Sequence, residues 1–236
     1  MLDNNYLKLI HLKKVFLLDD INIKSTDWIL GVIIFSLIIL LIVKLFSKKY
    51  LIRIFSATHH YQSSYKLFYN ENNLFTRISS ILNILFIIIF SLFVYQIFEF
   101  FNFKKGLNNF QTYIIYFLIL FVFYFSKILI YKILSHILME KKLFSEYSFN
   151  IFLFNKVYGI FLISVVTFVS FSPIFFKKYF IYLGIITFIL NFLFQTIRGI
   201  QISFNHKKLS LFYMILFFLS VEIIPFLLIY KYFEFL

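Results

Sequence analysis

The chain has 236 residues, 62% of them hydrophobic, and 23 Lys and Arg against 10 Asp and Glu, for a formal net charge of +13. That apolar share exceeds the roughly half that a water-soluble domain uses, so the composition points away from a soluble fold and toward an integral membrane protein. There is no cysteine, which excludes disulfides and thiolate metal sites, and the basic residues are scattered between apolar blocks, which argues against nucleic acid as a partner.

Residues 1–24 mix Leu7, Ile10, Leu17, Leu18 and Ile21 with Lys8, Lys13, Lys14 and three Asp. That pattern suits a short amphipathic helix lying on a membrane or a frayed tail, and both readings stay open. Residues 25–236 read as a single transmembrane domain. Its first predicted span is Trp28–Phe46. Ser25 and Thr26 can cap the exposed amides at a helix start, Asp27 suits the positive end of the helix dipole, and Trp28 belongs at headgroup level. No small-residue cleavage site follows, so the span reads as retained rather than as a signal peptide.

Five further stretches reach the roughly 20 apolar residues that a spanning helix needs: Ile78–Phe100, Gln111–Leu138, Ile151–Ser172, Tyr179–Ile197 and Leu209–Tyr230. They are too long for strands and show no alternation. The expected fold is an all-α integral membrane protein, a bundle of about six transmembrane helices. The connector Ser47–Arg77 is the longest; Phe55, Tyr61, Tyr65, Phe68 and Tyr69 recur at helical spacing, which predicts one or two interfacial helices on the cytoplasmic side.

Six spans place both termini on one side. Thirteen of the 23 basic residues fall on the opposite side, and the positive-inside rule makes that side cytoplasmic. Both termini are then expected to be periplasmic.

Ionisable groups within a span cost about 2.5–3.5 kcal/mol on insertion scales, so each is a candidate functional group. Lys127 and Glu222 lie well inside their spans, whereas Lys44, Glu99, Lys156 and Arg198 lie near ends where snorkelling suffices. At ~1.5 Å rise per residue, Ser164 and Thr187 fall at the depth of Glu222, Asn191 ~6 Å deeper and Lys127 ~12 Å deeper. Hydrogen bonds from Ser, Thr or Asn to Glu222 therefore fit more easily than an ion pair with Lys127. Pro225 frees the carbonyl of Val221, four residues back, and favours a kink beside Glu222. Glu222, Pro225, Lys127 and Asn191 make up the candidate intramembrane polar site, either as a packing bond or as a proton, cation or ligand site.

The adjacent His59 and His60 would diverge on a helix, and the other histidines are scattered, so no metal site is expected. No HExxH motif, nucleophile elbow or phosphate-binding glycine loop appears, so neither a catalytic residue nor a cofactor is expected. Gly159, Gly184 and Gly199 are expected to allow close helix approach. Phe, Tyr, Ile, Asn and Lys dominate, with three Arg and one Ala. Those are the residues with AT-rich codons, so the aromatic content reads as genome bias.

The stretches "FNKVYGIFLI" (154–163), "YLGIITFILNFLFQTIRGI" (182–200) and "SLFYMILFFLSVEIIPFLLIYK" (210–231), with "STDWILGVIIFSLIILLIVKLF" (25–46), carry a family likeness. Together they resemble a Bacteroidota family of multi-pass membrane proteins classed as domain of unknown function 4271. The resemblance covers nearly the whole chain from Ser25 on. It implies an inner-membrane location without an assigned activity or cofactor. The positions that match by motif are Asn155, Lys156, Gly159, Arg198, Gly199, Glu222 and Pro225.

The functional expectation is a non-enzymatic accessory or assembly component of the cell envelope. Its partners would be membrane lipids and other envelope membrane proteins. A small transporter or ion-coupled carrier using Glu222 is the alternative. A lipid-processing enzyme ranks last, since no cluster of acids or histidines shares a headgroup depth.

Overall fold

The computed structural model describes residues 3–69, 73–101, 109–137 and 139–206. Six helices occupy them: α1 (Asp3–His59), α2 (Tyr61–Tyr69), α3 (Asn73–Phe100), α4 (Asn109–Ile137), α5 (Lys141–Phe171) and α6 (Ile174–His206). Five are long and apolar enough to cross a membrane: Asp27–His59 in α1, Thr76–Phe100 in α3, Asn109–Ile137, Lys141–Phe171, and Phe175–Asn205 in α6. The protein is an all-α integral membrane bundle. The sixth predicted span, Leu209–Tyr230, lies outside the described residues, and Glu222 and Pro225 with it.

Burial separates an inner pair of helices from an outer set. In the apolar stretches of α3 and α5, 56% of residues are buried, against 22% in α1 and 17% in each of α4 and α6. The outer helices turn Leu, Ile, Val and Phe side chains outward, among them Leu45, Phe46, Val122 and Phe175. A bilayer solvates such a surface at no hydrophobic cost, so the inside of this protein is defined by packing between helices rather than by apolarity. α5 packs against all five other helices and forms the axis of the bundle. α4 and α6 both pack on α5 but have little contact with each other.

The helix ends follow local chemistry. α1 kinks at Ser47, whose φ of −148° and ψ of 46° leave the helical region, at the point where the apolar run ends and Lys48 and Lys49 begin. The limb beyond the kink buries Tyr50, Ile54 and Ala57, spaced to share one helical face. That face joins Val43, Leu67, Leu82 and Leu153 in a core cluster. The connector after the first span is thus helical, in two pieces, as its spacing predicts. Between α4 and α5, Met139 adopts a φ of 55° and its amide donates to the carbonyl of His136. Pro173, which has no amide hydrogen to lose, sits just ahead of α6, and its carbonyl accepts from Phe176 and Lys177.

Two helices run further than their hydropathy predicts. α5 starts at Lys141 rather than near Ile151, and α6 continues to His206 rather than stopping near Ile197. The polar residues in these extensions, Glu146 and Asn150 on α5 and Ser203 on α6, are buried. Helix here continues because polar groups find partners inside the bundle, which hydropathy alone does not register.

Candidate intramembrane polar site

Most of the buried polar side chains lie in the half of the bundle where α1 and α4 finish, α3 and α5 begin, and α6 nears its end. They form three linked groups.

The first surrounds Lys127. Its side chain, 8% exposed, lines a cavity of about 50 Å³ between α3, α4, α5 and α6. The amine stands 5.5 Å from the centre of the Phe123 ring, a distance at which the ring quadrupole attracts a cation. Asn155 of α5 and Asn191 and Gln195 of α6 line the same cavity, with aromatic walls that include Phe86, Phe90, Tyr124 and Phe188. Gln195 Nε2 donates to Asn155 Oδ1 at 2.8 Å, and Asn191 Nδ2 donates to the same oxygen at 3.4 Å. Asn191 and Gln195 are one helical turn apart, so both amides reach one partner on α5. Each amide keeps a second hydrogen for another acceptor.

The second group is Lys156, 2% exposed, whose amine donates to Ser79 Oγ on α3. It also lies 5.8 Å from the Phe149 ring centre. About one turn further along the same helix, Gly159 permits close approach to α3: a Cβ there would stand 3.1 Å from both Cα and Cβ of Phe86. Gly184 is tighter still, with Phe93 Cζ at 2.3 Å from a would-be Cβ. Gly199 is buried on α6.

The third group closes the end of α1. Arg198, 5% exposed, donates through Nη2 to the carbonyl oxygens of Thr58 at 2.8 Å and Ala57 at 3.3 Å. These are among the last carbonyls of α1, which lack a partner within the helix and carry the negative end of its dipole. The guanidinium lies 5.7 Å from the ring centres of both Tyr61 and Phe154. α2 is tied down beside it: Tyr61 Oη donates to Glu146 Oε1 at 2.8 Å, and Ser64 Oγ donates to Asn150 Oδ1 at 2.6 Å. Asn150 in turn donates to the Glu146 carbonyl at 2.8 Å. Burial pushes the Tyr61 phenol up to about 12; the Asn205 side chain opposes this and Glu146 adds to it.

The expectation that Lys156 and Arg198 snorkel is overturned. Both side chains are buried in the bundle, where a hydroxyl on α3 accepts from Lys156 and carbonyls near the end of α1 accept from Arg198. Lys44 is exposed and Glu99 partly buried. Thr187 donates to the carbonyls of Leu183 and Gly184, and Ser164 is exposed. Lys127, Asn155 and Asn191 come together at one cavity, while Lys156 and Arg198 serve separate bonds. Among the described residues, no three of His, Asp and Glu converge in a way that could hold a metal ion.

A family profile described as "Domain of unknown function (DUF4271)" matches residues 29–233. The chain belongs to this family. No curated protein and no solved structure matches it. The DUF4271 match spans every helix from Ile29 on and reaches past the described residues, so Glu222 and Pro225 fall within the family's extent.

Sequence reasoning on this DUF4271 chain did not single out Gln195, Glu146, Asn150, Ser64 or Tyr61 as site residues. A signal was present for some of them. Asn191, Gln195 and Arg198 recur at four- and three-residue steps on an otherwise apolar helix, and Glu146 and Asn150 are four apart; such spacing puts polar groups on one face.

Proposed function

We propose that this DUF4271 protein is a non-enzymatic accessory or assembly component of a bacterial cell envelope, resident in the inner membrane among its lipids. The observation that carries the reading is how the buried polar groups are used. Arg198 joins α6 to α1, Lys156 joins α5 to α3, and Gln195 joins α6 to α5. Polar bonds of this kind between helices fix one arrangement of a bundle in lipid. A rigid scaffold with outer apolar helices suits docking to other membrane proteins of the envelope. The basic residues support both termini being periplasmic, and the family likeness with the codon bias supports a Bacteroidota source. Affinity purification from native membranes in mild detergent tests the role. A membrane protein recovered in stoichiometric amount is expected; a chain that purifies alone at native expression overturns it.

A second reading, a small ion-coupled carrier, is favoured by the cavity that holds Lys127, Asn155, Asn191 and Gln195. Glu222→Gln separates the two. A carrier loses function while abundance and folding persist. A packing residue tolerates Gln, which keeps hydrogen bonds, and loses abundance with Ala.

A further inference from the structure

We infer that the groove between α2 and the end of α6 holds the headgroup phosphate of an anionic phospholipid, whose acyl chain lies along α6. Tyr61, Gln62, Tyr65 and Lys66 of α2 and Asn205 of α6 enclose a space of about 450 Å³. That is within the roughly 300–1,000 Å³ of small-ligand clefts.

The groove stands at headgroup level. Tyr61 bonds to Glu146 of α5, which lies ~7 Å ahead of the apolar run that starts at Ile151, at ~1.5 Å per residue. Asn205 lies ~12 Å past Ile197, where the continuous apolar run of α6 ends, by the same rise. Both distances put the groove just outside the hydrocarbon. Tyrosine favours that layer, and three of them stack along α2, with ring centres 6.3 Å apart for Tyr61 and Tyr65 and 4.5 Å apart for Tyr65 and Tyr69.

Its charge suits a phosphate diester. Lys66 lines the groove, and Lys142 of α5 stands close enough to act electrostatically on the Tyr65 phenol. Both lysines are exposed, and neither forms an ion pair among the described residues. Glu146, the carboxylate beside Tyr61, is 1% exposed and accepts from the Tyr61 hydroxyl. The lining thus offers a phosphate positive charge and the amide hydrogens of Gln62, and it offers no acid to the ammonium of a zwitterionic headgroup.

The face of α6 that leads away from the groove points to a lipid rather than a free phosphate. Leu190, Phe194, Ile197 and Phe204 are all exposed, and their four-, three- and seven-residue steps put them on one helical face. An acyl chain continues from the headgroup onto this strip, which a phosphate ion would leave bare. The site goes beyond the accessory role and does not depend on it.

Native mass spectrometry of the full chain, stripped of lipid in detergent and titrated with phosphatidylglycerol, tests the site. Lys66→Gln with Lys142→Gln is expected to weaken binding about tenfold. Lys177→Gln with Lys178→Gln removes the same charge at the other end of α6 and is expected to leave binding within about twofold of wild type. Phosphatidylcholine is expected to bind several-fold more weakly than phosphatidylglycerol, and excess inorganic phosphate is expected not to displace the lipid. On the unaltered protein, a phosphatidylglycerol with a photoactivatable headgroup is expected to label the peptide that carries α2 or the one that ends α6. Equal losses from the two double variants overturn the site, as do equal binding of the two lipids or labelling confined to other peptides. Displacement by inorganic phosphate overturns the lipid as occupant. None of these outcomes bears on whether a membrane protein co-purifies with the chain.

Discussion

Arg198 and Thr58 are 140 residues apart in the chain, yet Arg198 Nη2 donates to the Thr58 carbonyl oxygen at 2.8 Å. Nη2 also reaches the Ala57 carbonyl, so one side chain of α6 closes the end of α1. Arg198→Met leaves buried carbonyls without a donor and is expected to destabilise the protein by about 2–3 kcal/mol. Arg198→Lys is expected to recover only part of this, because an ammonium lacks the planar fork that spans two acceptors and lies over aromatic rings. Thermal unfolding of the detergent-solubilised protein measures both.

The close approach of α5 to α3 at Gly159 gives a second test. An added methyl would meet Phe86 backbone and Cβ at 3.1 Å, and backbone in a packed helix yields little. Gly159→Ala is expected to cost about 1–3 kcal/mol. Gly31→Ala is the control, since nothing lies within 4 Å of its would-be Cβ; it is expected to be neutral or to stabilise by up to ~1 kcal/mol through helix propensity. Equal melting temperatures for the two variants would contradict the close approach.

The Tyr61 phenol predicts a pH dependence. Burial pushes it from 10 up to about 12, so the folded state holds this proton after the unfolded chain has released it. Its contribution is fully present below pH 10 and is lost as pH rises through about 12. Tyr61→Phe is expected to be less stable near neutrality, where it lacks the bond to Glu146, and to lose less stability between pH 10 and 12. Parallel alkaline unfolding curves for the two proteins would count against this.

The Lys156–Ser79 bond predicts non-additivity. Ser79→Ala takes an acceptor from a buried amine and is expected to cost about 1–3 kcal/mol. Lys156→Met in that background removes the charge while keeping an unbranched side chain, and is expected to regain most of the loss. A double-mutant cycle in unfolding free energy checks the coupling.

The residues that went unrecognised or were assigned the wrong direction share a cause. Lys156 and Arg198 lie near the ends of apolar runs, where a long side chain can reach water or turn inward with similar ease. Which it does depends on what the neighbouring helix offers at that height: Ser79 for one, the last carbonyls of α1 for the other. Glu146 and Asn150 lower the hydropathy of their stretch and so moved the predicted start of α5 ten residues too late. Their bonds to α2 are what allow helix there.

By itself the sequence determined the class of protein and the apolar centres of the five described spanning helices, though not the start of α5 or the end of α6. Apolar run length maps directly onto bilayer thickness through the fixed rise of a helix. The break after Phe46, the helical connector and the close approaches at Gly159 and Gly184 were legible for equally local reasons. Only the tertiary structure decided that α5 is the axis, that α3 and α5 are the inner helices, and that Lys127, Asn155, Asn191 and Gln195 share one cavity. In lipid the inner and outer faces of a helix are both apolar, so the hydrophobic period that marks the core of a soluble protein is weak. Partners are then set by which polar groups meet across helices, a property of the assembled bundle that no single segment encodes.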